Sequence, residues 1–144
     1  MPSSETSEAK PLKFVHNIAS EANWTDGLRD IFEYRDLGIA DATGGGFVAH
    51  IIRANGKKMA DDVQQWHVHD CTFQFVEVLA GWATFEYEGE GVHTIREGDA
   101  ILQPPLIKHR ELACSEDFEV LEIVSPAKFE TRVVEPPDEA SAAG

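Results

Sequence analysis

His67-Val68-His69-Asp70-Cys71-Thr72-Phe73-Gln74 is the stretch on which the reading of this chain turns. Two histidines two residues apart on a strand point to one face, so both imidazoles can reach one point. Alone, such a pair says little in a chain with six histidines. The segment runs on as Phe73-Gln74-Phe75-Val76-Glu77-Val78-Leu79, a β-branched and aromatic run stopped by Ala80-Gly81, which reads as a strand.

The same pattern continues on both sides. Upstream, Gly44-Gly45-Gly46 breaks the chain before Phe47–Ala54, and Asn55-Gly56 turns it. Downstream, Ala83–Tyr87, Val92–Arg96 and Ala100–Leu102 are separated by Glu88-Gly89-Glu90-Gly91 and Glu97-Gly98-Asp99. Phe118–Val124 alternates apolar and acidic residues and stops at Ser125-Pro126. Short strands divided by Gly/Pro turns predict an all-β chain, an antiparallel sandwich or barrel. Helical signal is poor: Thr25–Asp30 and Lys128–Thr131 are each read as a single turn. Residues 1–13 read as a loose arm, 14–134 as one domain and 135–144 as an acidic tail.

At 144 residues, 42% of them apolar and 26% charged, the chain is sized for one globular core. Twelve Lys and Arg stand against 26 Asp and Glu, a net charge of −14. That balance argues against nucleic acid and against an anionic membrane surface as partner. No apolar run approaches the roughly 20 residues that span a bilayer. The polar, acid-bearing N-terminus does not read as a signal peptide. Cys71 and Cys114 then read as reduced thiols in a cytoplasm.

Gln74 follows His69 by five residues and Gly81 follows Gln74 by seven. Pro104 and His109 follow Gly98 by six and eleven. This series resembles the two motifs of the cupin family over roughly residues 45–125, with the short segment between motifs of small bacterial single-domain cupins. The resemblance implies a double-stranded β-helix, the jelly-roll barrel, with one divalent transition metal inside (Fe, Mn, Ni, Co, Cu or Zn). Carried over by position, its ligands are His67, His69, Gln74 and His109. The family's acidic ligand is Gln74 here, which offers an oxygen but no charge; it either coordinates directly or bonds a metal-bound water. Leu106 replaces a family glycine after Pro-x, where Pro104-Pro105 is expected to set an extended turn. Asp61 and Ala113 also depart from the pattern.

Other residues are weighed around this centre. Glu111, two past His109, shares its face and is either a buried acid/base or a rim carboxylate in water. Cys71, two past His69, is either a nucleophile, a neighbour of the ligands, or a core filler. His50 either lines the pocket or is a hydrogen-bonded structural histidine. Trp66 and Tyr87 are pocket wall or core. Arg53, Lys57, Lys58, Lys108 and Arg110 are the basic residues near the expected mouth, and either hold an anionic substrate group or face solvent.

The family's activities imply a small metalloenzyme on a small oxygenated metabolite: dioxygenase-like with a redox metal, isomerase or lyase with another. The alternatives are a non-catalytic ligand-binding or sensing barrel and, less fitting at this length, a storage barrel. Small cupins also pair through edge or terminal strands, so a homodimer through residues 28–40 is expected.

Overall fold

The computed structural model of the chain describes residues 11–26, 31–56 and 65–138. Among these are eleven strands: β1 (Trp24–Asp26), β2 (Phe32–Asp36), β3 (Val48–Ala54), β4 (His67–Asp70), β5 (Phe73–Ala80), β6 (Trp82–Tyr87), β7 (Gly91–Arg96), β8 (Ala100–Leu102), β9 (His109–Cys114), β10 (Glu119–Ser125) and β11 (Glu130–Val133). One antiparallel sheet has the order β1-β2-β3-β10-β5-β8 and the other β11-β4-β9-β6-β7. From β3 onward every connection except the β6–β7 hairpin crosses from one sheet to the other. Two sheets wound together in this way are a jelly-roll barrel, and their inner faces are the interior.

Period-two burial explains the strands. Gln74, Val76 and Val78 of β5 point inward, as do Val120 and Val124 of β10. The core gathers Phe32, Ile52, Val76, Val78, Ile95 and Phe118 with their neighbours from both sheets. Val78 and Val124 are almost fully buried; burying one such side chain stabilises by roughly 1.5–3 kcal/mol. In this inward row of β5, Gln74 is the one polar residue.

Three expectations need correction. Thr25 and Asp26 belong to β1, paired to β2, and not to a turn; residues 27–30 lie outside the described residues. Glu130 and Thr131 belong to β11, which completes the edge beside β4. All four β11 side chains are exposed, so no apolar alternation marked the strand; it forms because the β4 backbone needs hydrogen-bond partners. Third, Pro104-Pro105 does not replace the family glycine with an extended turn. Leu106 itself takes the left-handed conformation, at φ 65°, and its N–H donates to the His69 carbonyl at 3.1 Å. An L side chain costs about 1–2 kcal/mol in that region, so the turn is kept although the glycine is not. A one-turn helix, α1 (Ile39–Ala42), carried no sequence signal.

Of the expected early strand, β2 covers residues 32–36. Of the arm and tail, residues 11–13 and 135–138 are described. Lys57, Lys58 and Asp61 lie outside the described residues.

Gly81, between β5 and β6, holds φ +71°. A Cβ there would meet Ser115 Oγ, Asp117 Oδ1 at 2.6 Å and the Phe118 Cα at 2.9 Å. The Phe118 backbone cannot swing aside as a side-chain tip can. Gly89, at φ +76°, has open space around it. Gly81→Ala is therefore expected to destabilise by about 3 kcal/mol or more, combining the left-handed penalty with overpacking. Gly89→Ala should cost only about 1–2 kcal/mol. Chemical denaturation of both variants checks the difference.

Candidate metal centre

Strand register brings the histidines together. His67 on β4 lies directly opposite His109 on β9, and His69 is two residues along the same face of β4. Ring centroids stand 4.2 Å apart for His67 and His109, 5.1 Å for His67 and His69, and 4.9 Å for His69 and His109. One ring nitrogen from each lies within 4.8 Å of the other two. His67 and His109 are buried; His69 is half-buried toward the opening.

Hydrogen bonds decide which nitrogen each ring presents. His67 Nδ1 bonds the Gln65 carbonyl at 3.0 Å and His109 Nδ1 bonds the Ile107 carbonyl at 3.0 Å. A carbonyl only accepts, so Nδ1 carries the proton and Nε2 the lone pair in both rings. His69 Nδ1 pairs with Thr131 Oγ1 at 2.8 Å, and Thr131 is its cross-strand partner on β11. Three imidazoles held at Nδ1 and converging from two adjacent strands are a donor set that fits a divalent transition metal.

Gln74 reaches the same cavity from the opposite sheet and is buried. Its Nε2 donates to Glu122 Oε2 at 2.8 Å. A carboxylate only accepts, so this bond fixes the amide, turns its nitrogen toward Glu122 and leaves Oε1 as the atom available to an ion. Glu122 Oε1 in turn lies 2.7 Å from His50 Nε2, its register partner on β3. Burial alone would raise the Glu122 pKa. The hydrogen bond and charge of His50, the Gln74 amide and the charge of His69 outweigh it and hold the carboxyl below its ordinary value.

Glu122 is absent from the sequence candidates, yet period two marks it. In Phe118-Glu119-Val120-Leu121-Glu122-Ile123-Val124, Glu122 has the parity of Phe118, Val120 and Val124, all buried. His50 both lines the cavity and is hydrogen-bonded, so its two readings hold together.

Glu111 is 2% exposed and lines the cavity, which removes the rim alternative. Cys71 is buried but does not line the cavity, and burial raises its thiol pKa. Cys114 is likewise pushed up to about 11 by burial first and then by the charge of Glu111. Tyr87 is core; it stacks on His109 at 5.7 Å and donates to Gln103 Oε1 at 2.7 Å. Burial and then the Glu111 charge raise its hydroxyl pKa. Trp66 is core beneath the Arg110 guanidinium.

The cavity measures about 480 Å³, and the exposed residues Thr25, Asp26 and Thr131 are among its lining. None of the described basic residues near the mouth enters it. Arg53 pairs with Glu33 at 3.0 Å and lies over Trp24. Arg110 pairs with Glu86 at 2.8 Å.

No protein-family model matches the chain, and no curated sequence matches it. Solved structures do match in shape. A barrel of interleaved antiparallel sheets with three convergent histidines at its centre is the cupin fold, and this chain has that fold. KdgF from Halomonas aligns with a TM-score of 0.62 and 23% identity, over 81% of this chain and 96% of KdgF. The polyketide cyclase RemF from Streptomyces resistomycificus aligns at 0.63 and 15%, over 88% of each chain. Pac13, a nucleoside dehydratase also solved from Streptomyces with uridine, aligns at 0.59 and 15%, over 89% of this chain and 97% of Pac13. At these identities the likeness is one of fold. Among the described residues no helix is long and apolar enough to cross a membrane.

The Gln74–Glu122 bond generates a test. Gln74→Glu replaces the donor with a second carboxylate facing Glu122, and should destabilise by about 1–3 kcal/mol at neutral pH. Adding Glu122→Gln restores a donor and acceptor with the charge exchanged, and should recover most of that loss. A double-mutant cycle by denaturant titration measures the coupling.

Proposed function

We propose that the chain is a small metal-dependent enzyme. One divalent transition metal, among Fe, Mn, Ni, Co, Cu and Zn, is held by His67, His69, His109 and the amide oxygen of Gln74. The observation that carries this reading is the convergence of three imidazoles, each held at Nδ1, in the same cavity as a buried carboxylate, Glu111. When bound, such an ion polarises substrate oxygens and, if redox-active, supplies O₂ chemistry. Four uncharged ligands leave its +2 charge undiminished, which strengthens it as a Lewis acid and favours the reduced state of a redox metal.

The chain's own residues supply the rest. Glu111 lies two residues from His109 on β9, on the same inward face. We assign it the proton transfer: it takes a proton from the substrate and returns it. Cys71, outside the cavity, is assigned to packing. The reaction class is proton transfer on a small oxygenated metabolite, as an isomerase, lyase or dehydrating enzyme, with dioxygenase chemistry open to an iron-loaded form. The fold of a nucleoside dehydratase and of a polyketide cyclase supports that breadth. The substrate is a small molecule, and neither nucleic acid nor membrane is a partner. The compartment is proposed to be the cytoplasm. Self-association is part of the same proposal; within residues 28–40, β2 is flanked by β1 and β3, so the proposed contact is moved to β1, one of the edge strands, and light scattering should then give twice 15.9 kDa.

The test is turnover of a panel of hydroxyketones, vicinal diols and diketones by the metal-loaded protein, followed by proton NMR in D₂O and by an oxygen electrode. Wild type should incorporate deuterium into, or eliminate water from, at least one panel compound. Glu111→Gln should keep its metal and lose about 10²–10⁴ in rate. Undiminished turnover in that variant would remove Glu111 from the chemistry. A wild type that neither retains metal nor turns over any compound would make the barrel a ligand binder.

A further inference from the structure

The cavity has two unlike ends. Its polar part gathers the three histidines and Glu111 from one sheet and Gln74 and Glu122 from the other. The remainder is mostly apolar and shares the hydrophobic core, with Ile52, Val76, Phe118 and Val120 among its lining, while Tyr34 and Gln103 line it too. The charged side chains lining it are carboxylates, Asp26, Glu111 and Glu122, with His50 bonded to the last. No Lys or Arg is among the described lining residues. The guanidiniums of Arg53 and Arg110, expected near the mouth, are committed to Glu33 and Glu86 and lie over tryptophan rings.

A phosphate or carboxylate on the substrate body would thus enter a mostly apolar pocket with no Lys or Arg among its described lining residues, beside carboxylates. Burying an unpaired charge in that way is strongly unfavourable. An uncharged apolar body would instead displace water from apolar surface, at roughly 0.8 kcal/mol per buried methylene, or about fourfold in affinity each.

We propose that the cavity takes an uncharged molecule with an apolar body and a head of two adjacent oxygens, and that it discriminates against sugar phosphates and other substrates with an anionic body. The inference rests on the metal-centre reading, because the oxygen head is placed at the three histidines. It adds what lies at the opposite end.

Three hydroxamic acids share one chelating head and differ only in the body: acetohydroxamic acid, hexanohydroxamic acid and succinic monohydroxamic acid. Isothermal titration into the zinc-loaded wild-type protein, with zinc content measured before and after, reads the body alone. Hexanohydroxamic acid should bind on the order of a hundredfold more tightly than acetohydroxamic acid, given four further methylenes. Succinic monohydroxamic acid should bind more weakly than acetohydroxamic acid. All three should lose affinity for zinc-free protein. Equal affinities across the series, or preference for the charged body, would overturn the substrate class while leaving the metal centre intact. Failure of all three to bind protein that demonstrably holds zinc would overturn the placement of the oxygen head at the three histidines, and the proposal with it.

Discussion

The candidate centre depends on one cross-strand registration. His67 and His109 stand opposite each other on β4 and β9, and each ring bonds the backbone carbonyl two residues before it. The same local device, on two strands, sets both tautomers and aims both Nε2 atoms into the barrel. A one-residue slip between β4 and β9 would turn one of these rings outward, because strand side chains alternate. Much of the surrounding structure holds that registration. The Leu106 N–H, in a left-handed turn between β8 and β9, bonds the His69 carbonyl. Tyr87, register partner of His109, stacks on its ring. β11 supplies Thr131 to the third histidine.

The second sheet answers the first through a relay of hydrogen bonds. His50, Glu122 and Gln74 lie on β3, β10 and β5, three adjacent strands. This relay explains why a glutamine stands where the cupin pattern has an acid. Glu122 already brings the negative charge to this wall and requires donors on both oxygens. An amide can donate to Glu122 with its nitrogen and still offer an oxygen to an ion; a carboxylate at position 74 cannot. The acid of the cupin pattern thereby stands one strand away, on β10, where it orients the Gln74 amide.

Most of the barrel is legible in the chain. Phe73–Leu79 and Val92–Arg96 show their strands by β-branched content and by Gly turns, and the spacing from His67 to His109 identifies the cupin pattern. What escaped had physical causes. β11 has four exposed side chains and no alternation, and β1 is three residues long. The left-handed turn at Leu106 runs against the residue's own preference, so only tertiary contact reveals it. Glu122 is masked by the apparent alternation of apolar and acidic residues in Phe118–Val124, although Glu119 and Glu122 have opposite parity. The apolar depth of the cavity was not visible at all, since core residues and cavity lining are the same residue types.

The central claim is that three imidazoles and an oxygen from Gln74 hold one ion at the middle of the barrel. X-ray absorption fine structure on the zinc-loaded protein tests it most directly. The account predicts a first shell of nitrogen and oxygen at about 2.0–2.1 Å, outer-shell scattering from three imidazoles, and no sulfur. A sulfur shell at about 2.3 Å, or fewer than three imidazoles, would contradict it.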